Sequence, residues 1–183
     1  MTPPVEEDAS GHPQGMEAAA TPRAPRSDRP RVAAIAAGWA VAVTAVALVG
    51  GLATDTESDW YRNLDRPSWQ PPGPAFGIVW TILYATIAIS ATLACRDLPQ
   101  RRRRVVVGLF AANLVLNVAW TWIFFQAENP RAAGVEILFL LGTIAGLIRL
   151  ILPYNRAAAL LLAPYGAWVA FATVLTWTIA ARN

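Results

Sequence analysis

The chain has 183 residues, 55% of them hydrophobic and only 15% charged, against the roughly 25% charged share of a water-soluble domain. Its one cysteine, Cys95, excludes an intrachain disulfide and any cluster held by several thiolates, and its one histidine, His12, excludes a haem held by paired histidines. Every basic residue is an arginine, the formal net charge is +3, and the pI lies near 9.6.

Residues 1–31 hold six prolines, mixed acids and arginines, small residues and His12. Such a segment buries too little apolar surface to offset its ordering entropy, so a disordered tail is expected. The apolar run that follows has the length of a full span, not the short core of a signal peptide, and the tail is expected to be retained.

Five windows long enough to cross a hydrocarbon core then follow, and they make residues 32–183 an all-α membrane domain of five transmembrane helices. The windows are Val32 to Ala53, Phe76 to Cys95, Val105 to Phe125, Ala132 to Leu152 and Ala157 to Ala181. Only the fourth carries charges, Glu136 and Arg149. The first span is rich in small residues, among them Ala33, Ala37, Gly38, Ala40, Ala42, Gly50 and Gly51, and is expected to pack closely on its neighbours.

The long connector, Thr54 to Ala75, reads WYRNLDRPSWQPPGPA from Trp60 onward. Pro67, Pro71, Pro72 and Pro74 fix φ and restrict the residues before them, so this loop can hold one shape without secondary structure. With Trp60, Tyr61 and Trp69 attached, it is expected to form a stiff aromatic lid over the outer mouth of the bundle.

The second connector carries Arg96 and the run Arg101 to Arg104. With Arg23, Arg26, Arg29, Arg31, Arg149 and Arg156, eleven arginines fall on the amino-terminal face, against four (Arg62, Arg66, Arg131, Arg182) on the other. The positive-inside rule then places the amino terminus in the cytoplasm and the carboxyl terminus outside a bacterial inner membrane. The RRRR run could bind phosphates, but between two spans it reads as a topology lock and a contact for anionic lipid. No nucleic-acid partner is expected.

In the third span Asn113, Asn117, Trp120 and Phe124 recur at helical spacing on one stripe. An unpaired amide is costly in hydrocarbon, so the stripe should face the interior, either as interhelical glue or as a pocket wall. Trp80 and Tyr84 are one turn apart on the second span, as are Trp168 and Ala172 on the fifth, with Leu175 on the same face. Trp80 and Trp168 lie inside their spans and are pocket candidates; Trp39 and Trp177 read as interfacial belt residues.

In the fourth span, Gly142 and Gly146 form a GxxxG step, read as packing inside the bundle before a dimer contact, with a homodimer left open. Glu136 could serve as a proton relay or pocket charge, or could reach the interface or cap a loop. Arg149 lies about 20 Å further along the axis, too far to pair with it, and should snorkel to the headgroups.

Five signatures together resemble one known family. They are WY with L-D-R-P-S-W-Q-P-P (Trp60 to Pro72), F-G-I-V-W-T-I-L-Y (Phe76 to Tyr84), L-N-V-A-W followed by I-F-F (Leu116 to Phe125), V-E-I-L (Val135 to Leu138) and P-Y-G-A-W-V-A-F-A-T-V-L (Pro164 to Leu175). The chain is similar in these, over about residues 32–182, to the tryptophan-rich sensory protein and translocator protein family, TspO/MBR. That resemblance implies a dimeric five-helix bundle binding porphyrins such as protoporphyrin IX in a pocket closed by the first loop. It implies pocket roles for Trp80, Asn117, Trp120 and Trp168, to which the reading of the residues adds Tyr61, Tyr84, Asn113 and Ala172 as expected ligand-binding positions. Ala132 and Ala133 stand where some members have a tryptophan. The run Leu175, Thr176, Trp177 departs from the animal sterol pattern, so sterol binding is not inferred.

The leading expectation is a porphyrin-binding membrane protein that senses, sequesters or transports its ligand, with no cofactor and no metal ligand of its own. Two alternatives differ in class. One is light-dependent porphyrin breakdown, in which Trp80 and Trp168 would donate electrons; no nucleophile and base pair, paired carboxylates or metal cluster is otherwise legible. The other is a ligand-gated membrane adaptor acting through its arginine-rich face. The five spans lack the internal repeats of an ordinary secondary transporter.

Overall fold

The computed structural model describes residues 28–183, and all regular structure among them is helical. Residues 1–27 of the expected tail lie outside the described residues; the rest of it starts the first helix.

Helix α1 (Arg29–Ala53) is followed by the short α2 (Asp59–Asn63), then α3 (Gly73–Asp97). Helix α4 (Gln100–Thr121) runs on into a π-helical turn, Trp122–Gln126. Helix α5 (Pro130–Ile151), the short α6 (Arg156–Leu160) and α7 (Ala163–Arg182) complete the chain. Counting α4 with its π-turn and α6 with α7, five helical segments of 22 to 27 residues are apolar enough to cross a membrane. The shortest is about 33 Å long at 1.5 Å per residue, enough for a hydrocarbon core.

Local sequence sets the helix ends. Proline occupies the first turn of α1, α3, α5 and α7, where its missing N–H removes no bond and its φ is already helical. Side-chain caps start α2 and α6 and reinforce α5, while α4 begins directly after Pro99. Asn129 Oδ1 accepts from the Ala132 N–H at 3.0 Å, and Asn155 Oδ1 from the Ala158 N–H at 2.8 Å.

Three elements differ from the sequence expectation. The loop contains α2, because Ser58 Oγ accepts from the Tyr61 N–H at 3.2 Å and caps a turn that the prolines further on do not forbid. The fifth span is broken ahead of Pro164, which cannot donate into the ladder. There the Leu162 N–H bonds to the Ala159 carbonyl, and the Ser90 hydroxyl of α3 donates to the Ala158 carbonyl at 2.8 Å. The third span ends in the π-turn, closed by the Ala127 N–H donating to the Trp122 carbonyl at 2.9 Å.

Helix α5 is central, packed along α4 on one side and α7 on the other, while α1 lies against α3 and α4. Its buried residues Ala133, Ile137, Leu140, Ile144, Leu147 and Ile151 alternate at four and three positions and form one interior stripe. The α1 expectation holds on one face only, where Ala42 and Gly50 lie in the close contact of α1 with α3 and α4. Only Val43, Gly50 and Ala53 of α1 are buried, whereas Ala33, Ala37, Gly38, Ala40 and Gly51 face outward. Helix α1 touches the bundle along one narrow line that includes Trp39, Ala42, Val43 and Val46. Trp39 is accordingly no belt residue, since its ring lies 5.3 Å from that of Phe110 in the core.

Two glycines of α5 show close helix approach. A Cβ on Gly146 would lie 3.3 Å from Leu109 Cδ2 of α4, so this half of the GxxxG step packs within the bundle, while Gly142 faces open space. A Cβ on Gly134 would fall 2.9 Å from the indole of Trp177. Gly134→Leu should therefore separate α5 from α7 and destabilise the protein by about 1–3 kcal/mol. Equilibrium unfolding in mixed micelles checks this, and an unchanged midpoint would show that Trp177, 41% exposed, swings away without cost.

Candidate functional site

The interior stripe of α4 meets two tyrosines. Tyr84 of α3 donates from its hydroxyl to Asn117 Oδ1 at 2.8 Å, and Tyr165 of α7 donates to Asn113 Oδ1 at 3.1 Å. Asn117 Nδ2 donates to the Tyr165 hydroxyl at 3.5 Å, and Asn113 Nδ2 to Thr143 Oγ1 of α5 at 2.8 Å. Four helices are thus joined by one chain of hydrogen bonds within the membrane-spanning segments, where unpaired polar groups are costly. Asn113 and Asn117 are 0% and 5% exposed, so both amides serve as interhelical bonds in this conformation.

Aromatic rings surround that network. Trp80 sits 5.3 Å from Tyr84 and 6.1 Å from Tyr165, centroid to centroid. Trp120 stacks on Phe124 at 5.3 Å. Trp168 makes its ring contacts elsewhere, with Phe76 at 5.5 Å and Phe171 at 5.4 Å. Ala172 is half-buried beside it against the main core. The candidate residues therefore fall in separate groups. Trp80, Tyr84, Asn113 and Asn117 gather around Tyr165, and Trp120 and Tyr61 join the cluster of Phe124 and Phe125. Trp168 lines the gap between α3 and α7, with Ala172 one turn on, against the core.

The loop rests on the end of the bundle where α3 begins and α7 finishes, through its aromatic residues. Trp60 meets Phe124 at 5.7 Å, Tyr61 meets Phe125 at 5.4 Å, and Trp69 meets Phe171 at 5.8 Å. The wider π-turn lets consecutive residues Phe124 and Phe125 both serve the loop, and π-turns are frequent at functional positions. Tyr61 is buried, accepts a bond from Gln70 Nε2 at 2.9 Å, and carries Arg66 over its ring at 4.7 Å.

A polar latch holds the same loop to the end of α7. The Asp65 N–H donates to Asn183 Oδ1 at 3.0 Å, and Arg182 pairs with the Asp65 carboxylate at 3.4 Å. Asn183→Ala removes the acceptor of the Asp65 amide and should speed hydrogen exchange at Asp65 about five- to tenfold, the equivalent of one net hydrogen bond. Mass-spectrometric exchange over the loop reads this, and unchanged protection would show that the rings alone hold the lid.

Two openings adjoin these residues. A groove of about 400 Å³ between α3 and α7 is lined by Val79, Ile82, Leu83, Pro164, Ala167, Trp168 and Phe171 and is almost wholly apolar. A cleft of about 930 Å³ at the loop-covered end is lined by loop residues including Tyr61, Arg62, Asp65, Arg66 and Gln70. Among the described residues, no three His, Cys, Asp or Glu side chains gather closely enough to hold a metal ion.

Residues 39–182 match the profile of the TspO/MBR family, a stretch that runs from within the first membrane segment through the loop and the other four segments. The chain belongs to the TspO/MBR family. Among TspO/MBR relatives, the Bacillus subtilis membrane protein YtaB is 36% identical over 127 residues, 69% of this chain and 82% of its own. A Bacillus cereus protein named tryptophan-rich protein TspO is 35% identical over 68% of this chain and 80% of its own. The human translocator protein is 37% identical over 66% and 72% respectively. With five apolar helices of spanning length, this TspO/MBR chain is an integral membrane protein.

Sequence reasoning did not select Tyr165, the residue to which both asparagines bond, or Thr143, Phe76 and Phe171. Tyr165 was within reach: it stands one turn before Trp168 and Val169 on the interior face of α7, and a phenol inside a span needs a partner as an amide does.

Proposed function

We propose that the protein binds a tetrapyrrole such as protoporphyrin IX within the membrane and senses, sequesters or transports it. The observation that carries this reading is the continuous series of rings from the loop into the bundle, Trp69 to Phe171 to Trp168 to Phe76, beside an apolar groove of about 400 Å³. Indole and phenyl faces give a flat macrocycle a large contact area at small entropic cost. Arg62 and Arg66 in the cleft at the loop-covered end can meet the carboxylates that such ligands carry.

The lone histidine, His12, precedes the membrane domain, which favours a metal-free porphyrin over an axially ligated haem. The names of relatives support the same reading only as far as tryptophan-rich and translocator proteins go. Titration of the purified protein in nanodiscs with protoporphyrin IX should quench tryptophan fluorescence saturably. Absence of saturable quenching rejects the reading.

We further infer a bacterial inner membrane with the amino-terminal side in the cytoplasm. Arg96, Arg101 to Arg104, Arg149 and Arg156 all fall at the end of the bundle where α3 and α5 finish and α4 and α6 begin. A homodimer is inferred from the outward small residues of α1, which would let a second copy approach closely. Native mass spectrometry of the nanodisc-borne protein at one or two copies decides it.

A further inference from the structure

The α4–α5 seam runs antiparallel in a fixed register. Leu109 lies against Gly146, and Asn113 bonds Thr143. Seven residues further along α4 (120 − 113) is Trp120, and seven back along α5 (143 − 136) is Glu136. Two turns in each direction bring these two residues to the same level of the seam, near its loop-covered end.

Both are anomalous there. Trp120 Nε1 and both carboxylate oxygens of Glu136 are shut from solvent and find no hydrogen-bond partner in the protein, although the amides and phenols two turns below are paired. A buried carboxylate without a partner is among the costliest groups a membrane segment can carry. The indole N–H can only donate and the carboxylate can only accept, so they are complementary, yet they do not bond to each other. At one level of the seam, a third group that accepts from one and donates to the other would satisfy both.

We propose that Trp120 and Glu136 form a polar subsite for a single O–H group, which accepts from the indole Nε1–H and donates to the Glu136 carboxylate. Two sources supply such a group. One is an ordered water. The other is the carboxylic acid of a planar ligand, and this source rests on the tetrapyrrole reading above. Trp120 is well placed for either, because it packs against both the main core and the aromatic cluster under the loop.

The test follows the Trp120 indole N–H resonance in nitrogen-15-labelled protein in nanodiscs, assigned by its loss in Trp120→Phe. With water as the source, the signal without ligand lies in the hydrogen-bonded range and moves upfield in Glu136→Leu. With the ligand as the source, it shifts only when protoporphyrin IX is added, and not with its dimethyl ester, which has no acid proton. The acid then binds about tenfold tighter than the ester, as one hydrogen bond to a charged group gives, and Glu136→Leu cancels that preference. Glu136→Gln, which keeps a weaker acceptor, should produce a partial shift and serves if the leucine variant does not fold. A Trp120 signal unmoved by either substitution, with and without ligand, overturns the proposal. If protoporphyrin IX does not bind at all, the ligand-free arm decides alone, so this subsite and the tetrapyrrole reading fail separately.

Discussion

Tyr165→Phe is expected to destabilise the folded bundle by about 1–3 kcal/mol, although it changes no packing volume. The phenol hydroxyl donates to Asn113 and accepts from Asn117, and the ring is buried among the core residues of α3, α4 and α5. Removing it leaves one amide oxygen and one amide N–H short of a partner where lipid offers none. Measured interhelical bonds in membranes average only about 0.6 kcal/mol, because the dissociated helices find other partners. The upper part of the range therefore requires that both lost bonds count.

Tyr84→Phe, which gives up a single bond to Asn117 at 2.8 Å, should cost about half as much. Equilibrium unfolding in mixed micelles compares the two. Equal effects, or none from Tyr165→Phe, would show that the network orients these helices without holding them together.

Trp168→Ala should weaken protoporphyrin IX binding about 30- to 1000-fold, with Trp80→Ala in the same range. These are the fold-changes that correspond to losing a buried aromatic anchor worth about 2–4 kcal/mol. Trp168 forms part of the groove wall between Phe76 and Phe171, and Trp80 covers Tyr84 and Tyr165 beside the amides. Phenylalanine at either position keeps a face for stacking and should lose much less than alanine. Trp122→Phe, on the exposed side of the π-turn, is the control and should leave affinity unchanged. If Trp168→Ala binds as the unmodified protein does, the groove between α3 and α7 is not the site, and the reading moves to the interior group around Trp80.

These predictions depend unequally on what the sequence displayed. The interior orientation of Asn113 and Asn117 was legible, because an amide in a span has to turn away from lipid. Whether the amides bond to protein or face a ligand was not, since that depends on Tyr165 and Tyr84 arriving from two other helices at the same depth. Trp39 shows the opposite case. Its position suggested an interfacial belt, and only the approach of Phe110 from α4 draws its ring into the core. The small residues of α1 suggested close packing, yet the surface of α1 that meets α3 and α4 is narrow and most of those residues lie outside it.

The fifth span was expected to run unbroken, although Pro164 stands inside it, and neither the break before α7 nor its repair was anticipated. Ser90 reaches the Ala158 carbonyl only because α3 passes beside α6, a proximity no local pattern encodes. The loop behaves similarly. Its prolines and aromatic residues announced a stiff lid, whereas its seat on Phe124, Phe125 and Phe171 and its latch to Asn183 come from elements far away in sequence.

What the sequence by itself determined is the number and approximate placement of the membrane spans and the family to which they belong. Transfer into lipid is close to a sum over successive residues, and a window of about 20 can be read without knowing its neighbours. What only the tertiary structure decided is the pairing of polar groups, such as Asn113 with Thr143 and Tyr165. A hydrogen bond depends on the relative register of two helices to within a fraction of a turn, and that register is fixed by packing contacts such as Leu109 on Gly146 rather than by the hydropathy of either helix.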